Sequence, residues 1–187
     1  MTHTNDFLVS PNPSDPRLTE RVVGIAHDGS RIETSVTVER PLTLYLNGRE
    51  IVTMMTIGDY PEYLALGYLL NQNMLNMDEE VLGVEYEEDI ETVVVRTATE
   101  TNFEDKLKKK TLTSGCAQGT VFGDVLEKFV DVVLPKGTII KASWLYALTK
   151  QINTVPSLYL EAGAIHGCAL YEKNKPLLYM EDVGRHN

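Results

Sequence analysis

Cysteine is scarce in this chain of 187 residues, which contains only Cys116 and Cys168. Two widely separated cysteines do not form the disulfide framework of a small secreted domain, so they favour a reducing, cytoplasmic location. The sequence also has no C-x-x-C pair, and no pair of histidines or cysteines has the spacing of metal ligands. We therefore expect no bound metal.

The chain is also poor in positive charge and in long hydrophobic runs. It has 17 Lys and Arg residues against 27 Asp and Glu residues, a formal net charge of −10, which argues against a general nucleic-acid-binding protein. No apolar run is long enough to cross a membrane. Residues 1–18 lack the basic and apolar regions of a secretory signal, and we interpret them as a flexible leader.

What the sequence does have is the composition of a globular protein, with 43% hydrophobic residues. Between residues 21 and 56, β-branched and polar residues alternate, and Asp28-Gly29 and Asn47-Gly48 are typical hairpin turns. This pattern predicts an antiparallel β meander.

A helix is predicted to follow the meander. Asp59, followed by Pro61, predicts the N-cap of a helix that continues to about Asn73.

The remaining patterns predict a mixed α/β fold, because strands and helices alternate. Strands are expected near residues 81–86 and 91–96, a loop or surface helix over 102–113, an amphipathic segment over 123–133, a helix over 143–153, and strands over 163–171 and 177–180. We divide the chain into the leader 1–18, a β-rich part with one helix at 19–100, and an α/β part at 101–187.

Cys116 lies in the string Ser114-Gly115-Cys116-Ala117-Gln118-Gly119-Thr120, just after a basic run at residues 106–110. Thiolate is the reactive form of cysteine, and nearby cations, helix starts and backbone N–H groups raise its fraction. Cys116 is therefore either a reactive thiol or a small core residue, and its small, hydroxylated neighbours are unusual for the second. Cys168 lies in the apolar string Gly167-Cys168-Ala169-Leu170 and is interpreted as a core residue.

The last seven residues, Glu181-Asp182-Val183-Gly184-Arg185-His186-Asn187, are mostly polar and follow an apolar run that predicts a strand. Polar turns at strand ends are where open α/β sheets carry their sites. An alternative is the N-terminus of a helix that Asp182 caps. The two interpretations are compatible with each other.

Six strings, in their order along the chain, resemble the formate dehydrogenase accessory sulfurtransferase family, FdhD. They are RPLTLYLNG at 40–48, MMTIGD at 54–59, ALGYLL at 65–70, SGC at 114–116, AGAIH at 162–166 and EDVGRHN at 181–187, the last being the most specific. The resemblance covers about residues 21–187 and implies a cytidine-deaminase-like three-layer core, preceded by the β meander. Family members continue beyond EDVGRHN, so we expect that a C-terminal portion is missing here.

The resemblance implies a sulfur carrier. Cys116 is expected to accept sulfur as a persulfide from a cysteine desulfurase and to pass it to the molybdenum or tungsten cofactor with two guanylylated pterins, which formate dehydrogenase requires. The resemblance places His166 beside the cofactor pocket. It suggests the C-terminal string as the source of the other cofactor-binding residues, namely Asp182, Gly184, Arg185, His186 and Asn187.

The expected partners follow from the same resemblance. They are a cysteine desulfurase, formate dehydrogenase and a second copy of the chain in a homodimer. A guanine nucleotide is expected to bind as a mimic of the guanylylated cofactor, which itself is held only transiently.

Two positions depart from the family pattern. Gly119 occupies the second position of the family's C-x-x-C, so no adjacent thiol attacks a persulfide on Cys116, and Ala164 replaces the second glycine of the family's G-G-x-H. The missing cysteine leaves a second hypothesis, a non-catalytic chaperone or scaffold that holds the cofactor. A zinc-dependent nucleobase deaminase is disfavoured, because no catalytic Glu follows His166 and the chain has no P-C-x-x-C.

Overall fold

The structure is a computed structural model that describes residues 7–99, 110–112, 120–122, 133–185 and 187. The contacts of its backbone divide the chain into two units. Unit 1 contains residues 1–39 and 135–185, and unit 2 contains residues 40–134 and 186–187. The described residues form strands and helices in alternation, so the predicted mixed α/β fold is confirmed.

The elements of the described residues follow one another as ten strands and three α-helices. The strands are β1 (Thr19–Ile25), β2 (Arg31–Thr37), β3 (Arg40–Leu46), β4 (Arg49–Thr56), β5 (Val81–Glu87), β6 (Thr92–Thr97), β7 (Lys110–Leu112), β8 (Thr120–Phe122), β9 (His166–Glu172) and β10 (Lys175–Asp182). The helices are α1 (Pro61–Asn71), α2 (Ala142–Ile152) and α3 (Leu158–Ala162). None of these helices has the length and apolar character that crossing a membrane requires.

Unit 2 is built on a four-stranded sheet with the strand order β4-β3-β6-β5. Strand β3 runs antiparallel to β4 and parallel to β6. Its apolar residues alternate with polar ones, so Leu42, Leu44 and Leu46 all point to one face. That face is buried with α1, whose Ala65 and Leu69 belong to the same core.

The Asn47-Gly48 hairpin turn predicted from the sequence is confirmed. Both residues have positive φ, 49° and 78°, as the two central positions of a type I′ turn require. The Asn47 side chain also joins the turn to β6: its Nδ2 donates to Thr97 Oγ1 at 2.8 Å, and its Oδ1 accepts from the Thr97 N–H at 2.9 Å.

The predicted N-cap of α1 is wrong by one residue. The cap is Tyr60, not Asp59, and no side chain of the cap makes a capping hydrogen bond. Tyr60 precedes Pro61, and the residue before a proline is kept out of the right-handed helical region by a clash with the proline ring. Tyr60 instead takes left-handed angles, φ 49° and ψ 54°, and the helix starts at the proline.

Unit 1 contains two separate hairpins, β1–β2 and β9–β10, together with α2 and α3. Its core includes Phe7, Val155 and Tyr179. The prediction of a flexible leader is wrong from Phe7 onward: Phe7 is buried, and the Leu8 N–H donates to the Leu177 carbonyl at 2.8 Å. Leu18 is buried as well, and the Tyr179 N–H donates to the Val9 carbonyl at 2.9 Å, so core contacts and backbone hydrogen bonds both hold this segment.

Three other expectations need correction. The single β meander is divided, because β1 and β2 form their own sheet while β3 and β4 belong to the sheet of unit 2. Residues 110–112, expected in a loop or helix, form β7, which pairs with β8. The strand expected from residue 163 starts at His166, after the short helix α3.

The predicted helix over 143–153 is confirmed as α2, although none of its residues is buried. The amphipathic segment lies outside the described residues except for Val133.

The boundaries at residues 18 and 100 stay a prediction, as does the three-layer core.

Candidate functional site

The β9–β10 hairpin brings together two of the residues predicted for the cofactor site. In its antiparallel register His166 is paired with Asp182, and Cys168 is paired with Met180. Directly paired residues project to the same face of a sheet, with Cβ atoms about 4.5–5.5 Å apart. An imidazole and a carboxylate therefore lie side by side where β9 begins and β10 ends.

This face of the hairpin also carries Cys168. The interpretation of Cys168 as a core residue is wrong, since it is an exposed free thiol. The apolar string around it does form a strand, but Cys168 lies on the same face as His166, and both are exposed. Alternation along a strand places every second residue on the open face, which composition alone does not reveal.

The opposite face of the hairpin holds a buried carboxylate that the sequence analysis did not select, Glu181. Its Oε2 accepts the Leu158 N–H at 2.7 Å, and its Oε1 accepts the Tyr159 N–H at 3.2 Å and the Tyr179 hydroxyl at 2.9 Å. Glu181 is 5% exposed. The only signal in the sequence was its position as the first residue of EDVGRHN, where the strand was expected to have already ended.

Tyr179 belongs to this buried arrangement. Burial raises the pKa of its phenol well above the usual value, and the negative charge of Glu181 and their hydrogen bond raise it further. The phenol is therefore a hydrogen-bond donor at neutral pH. Gly167 packs directly against this phenol. A Cβ built at position 167 would lie 2.7 Å from Tyr179 Oη, so a larger residue would clash with it.

A cavity of about 470 Å³ lies beside the start of β9, in unit 1. Its polar lining includes Asn153, Ser157, His166 and Tyr179, and Ile165 and Leu160 contribute apolar surface. This size is within the range of small-molecule sites. His166 thus lines both the cavity and the open face that it shares with Asp182.

The turn between α3 and β9 has an unusual backbone. Gly163 has φ 67° and ψ −168°, a region that is essentially restricted to glycine. Ala164 follows with φ 53°, a left-handed conformation that costs an L-residue with a Cβ about 1–2 kcal/mol. The second glycine that the resemblance implies at this position would avoid this cost.

Asp182 is the last residue of β10, and bends and a turn follow it over residues 183–185. Its Oδ1 accepts the Gly184 N–H at 3.3 Å, a local bond by which aspartate commonly shapes a turn. Gly184 and Arg185 are carried on this turn, directly after the strand that holds Asp182. His186 lies outside the described residues.

Asn187, the last predicted site residue, is described with unit 2. Its Nδ2 donates to the Met55 carbonyl at 2.8 Å, so it is bound to the MMTIGD string of β4. Gly58 of the same string has φ 75°, and a Cβ there would lie 3.0 Å from the Cδ of Arg40. Three of the strings quoted above therefore meet in unit 2.

Cys116, the predicted persulfide carrier, lies between β7 and β8 in the chain and outside the described residues, as does Gly119. Within the ranges that the structure describes, no three His, Cys, Asp or Glu residues are grouped closely enough to hold a metal ion.

The chain resembles curated proteins over most of its own length. It is 28% identical over 159 residues to the sulfur carrier protein FdhD of Wolinella succinogenes, and 28% identical over 161 residues to that of Bacillus subtilis. These alignments cover 83% and 84% of this chain but 54% and 61% of the relatives. The chain thus spans little more than half the length of these relatives.

The fold resembles a solved structure, described as a putative formate dehydrogenase accessory protein from Desulfotalea psychrophila. The TM-score is 0.61 at 20% sequence identity, with 90% of this chain and 62% of that chain covered. The model of the FdhD/NarQ family matches residues 37–187, which include all the predicted site residues. The chain belongs to the FdhD/NarQ family.

Proposed function

We propose that this protein is a sulfur carrier that takes up sulfane sulfur on Cys116 and delivers it to the guanylylated bis-pterin cofactor of formate dehydrogenase. The observation that carries the proposal is the family match over residues 37–187, with Cys116 retained in it. The relatives it matches are named sulfur carrier proteins.

The uptake step needs only an accessible thiolate. The Cys116 thiolate attacks the outer sulfur of the desulfurase persulfide, a new S–S bond forms on Cys116, and the desulfurase thiolate leaves. Because Gly119 stands where the family has a second cysteine, no thiol next to Cys116 in the sequence can attack the persulfide and release the sulfur as sulfide. A persulfide on Cys116 is therefore expected to be long-lived.

Delivery needs a site that holds the acceptor. The paired His166 and Asp182 supply a hydrogen-bonding edge, and the turn that Asp182 shapes carries the guanidinium of Arg185. Arg is suited to phosphate and Asp to the donor edge of a guanine. We assign His166, Asp182, Gly184 and Arg185, with His186 and Asn187 as further candidates, to the cofactor.

Intact-mass measurement tests the uptake step. After incubation with a cysteine desulfurase and cysteine, the wild type should gain about 32 Da, the mass of one sulfur atom held as a persulfide. Cys116→Ala should gain none, and Cys168→Ala should gain the same as wild type. An adduct that survives in Cys116→Ala contradicts the assignment.

The second candidate function is a chaperone that holds the cofactor without moving sulfur. It is favoured by one observation, the absence of a second cysteine beside Cys116. Restoration of formate dehydrogenase activity in a strain lacking its own carrier separates the two functions. A scaffold should tolerate Cys116→Ala in this assay, whereas a sulfur carrier should lose all activity.

A further inference from the structure

Glu181 differs from its neighbours in EDVGRHN because its side chain faces the interior. Neighbouring residues of a strand point to opposite faces, so Glu181 lies beneath the hairpin while Asp182 lies on the face that it shares with His166. Its two carboxylate oxygens accept three hydrogen bonds, two from backbone N–H groups at the start of α3 and one from Tyr179.

These hydrogen bonds join two parts of the chain that come together at His166. Helix α3 is followed at once by Gly163 and Ala164, both with positive φ, by the buried Ile165 and then by His166. Glu181 directly precedes Asp182. The carboxylate therefore connects the start of the segment that leads to His166 with the strand that carries Asp182.

We propose that Glu181 is the positioning residue of the cofactor site: by holding the start of α3 and the Tyr179 hydroxyl, it keeps His166 opposite Asp182. This inference rests on the proposed function for the identity of the ligand. The positioning itself is a property of unit 1 that can be measured without the ligand.

Glu181→Gln is the sharpest test because it keeps the shape and changes the hydrogen bonding. A glutamine has one acceptor oxygen and an NH₂ that only donates, whereas both oxygens of Glu181 accept. At least one of the three donors must then stay buried without an acceptor, which the hairpin can relieve only by moving. Glu172→Gln is the matched control, since Glu172 is an exposed glutamate at the other end of β9.

The first readout is NMR of His166. In wild type and Glu172→Gln, His166 should give one set of ring signals and the cross-strand backbone NOEs that report its pairing with Asp182. In Glu181→Gln the ring signals should shift or split and these NOEs should weaken, while the methyl signals of Leu44 and Val95 in the core of unit 2 stay in place. Unchanged His166 signals and NOEs in Glu181→Gln overturn the proposal.

The second readout is calorimetry with GDP as the probe. We expect Glu181→Gln to weaken GDP binding about tenfold or more, as loss of a supporting hydrogen bond does in other sites, and Glu172→Gln to leave it unchanged. If wild type binds no GDP, the proposed ligand is wrong, while the NMR result still decides the positioning. Should Glu181→Gln not fold, Tyr179→Phe removes one of the three bonds, and unchanged His166 signals in that variant overturn the proposal.

Discussion

Gly167 and Tyr179 are packed so closely that a Cβ at position 167 would lie 2.7 Å from the phenol oxygen and 3.0 Å from Cε2 of the ring. The ring is 3% exposed and its hydroxyl is bound to Glu181, so it cannot move aside without losing that bond. We expect Gly167→Ala to lower the free energy of unfolding by about 1–3 kcal/mol, the usual cost of overpacking. Urea unfolding followed by circular dichroism measures the change.

Gly67→Ala is the control for this substitution. Gly67 lies inside α1, and a Cβ there would meet no atom within 4 Å. Because glycine is a poor helix former, the same change should raise the free energy of unfolding by about 0.5–1 kcal/mol. Equal effects of the two substitutions would contradict the close packing of Gly167 on Tyr179.

The Gly163–Ala164 turn predicts opposite effects for two neighbouring substitutions. Ala164 has φ 53°, so Ala164→Gly relieves a left-handed strain of about 1–2 kcal/mol. The glycine also makes the unfolded chain more flexible, which offsets part of this gain, and we expect a net stabilisation of about 0.5 kcal/mol. Gly163→Ala should destabilise by about 1–3 kcal/mol, because φ 67° and ψ −168° suit glycine alone.

Thermal unfolding of the two variants beside wild type tests this pair. A melting temperature that falls in Ala164→Gly would mean that the turn is not left-handed in solution.

The buried phenol of Tyr179 predicts a loss of stability at high pH. Its pKa is raised in the folded state, chiefly by burial and then by Glu181, so above about pH 10 the unfolded chain holds fewer protons than the folded chain. The contribution of the buried, hydrogen-bonded phenol to stability is complete below that pH. It is lost as the pH rises toward the pKa of the phenol in the folded state. Tyr179→Phe cannot ionise, so its stability should fall less steeply above pH 10 than that of wild type.

Urea midpoints measured between pH 8 and pH 11 give the two slopes. Tyr63→Phe, a change at an exposed tyrosine, is measured beside it as the control. The interpretation fails if Tyr179→Phe keeps the wild-type slope.

Exposure of Cys168 predicts rapid labelling in the folded protein. In a Cys116→Ala variant, Cys168 is the one remaining thiol, and DTNB should react with it in buffer at a rate close to that in urea. Exposure, together with the fraction of thiolate, sets such rates. A thiol that reacts only after unfolding would mean that this face of the hairpin is covered in solution.

Local patterns in the sequence were sufficient for the elements whose partners are near in the chain. The Asn47-Gly48 turn and the strands β5 and β6 were predicted because alternation and turn residues are local signals. The N-cap of α1 was misplaced because the constraint of Pro61 on Tyr60 outweighed the capping preference of Asp59. Cys168 and Phe7 were misassigned for another reason: which face of a strand is open, and which segment fills a core, depend on contacts with distant residues.

The candidate site shows the same division. The strings that contain His166 and Asp182 were found from the sequence by resemblance. Their pairing depends on the strand register, because a slip of one residue would turn each side chain of the strand to the other face. Glu181 was missed because its value comes from three donors that lie more than twenty positions away, or two positions along the same strand.

The parallel pairing of β3 with β6 sets the order in which unit 2 can assemble. Thr43 is paired with Thr92, while β4 and β5 each meet their neighbour through antiparallel pairing. The hairpin β3–β4 needs only the short turn at Asn47-Gly48 and can form early, whereas β6 can join β3 only after the chain has passed through β4, α1 and β5. The entropy lost in closing so long a loop must be overcome before the contact stabilises anything. We therefore expect the pairing of β6 with β3 to limit the folding rate of unit 2, so that the buried Val93 and Val95 influence the speed of folding as well as the stability of the core.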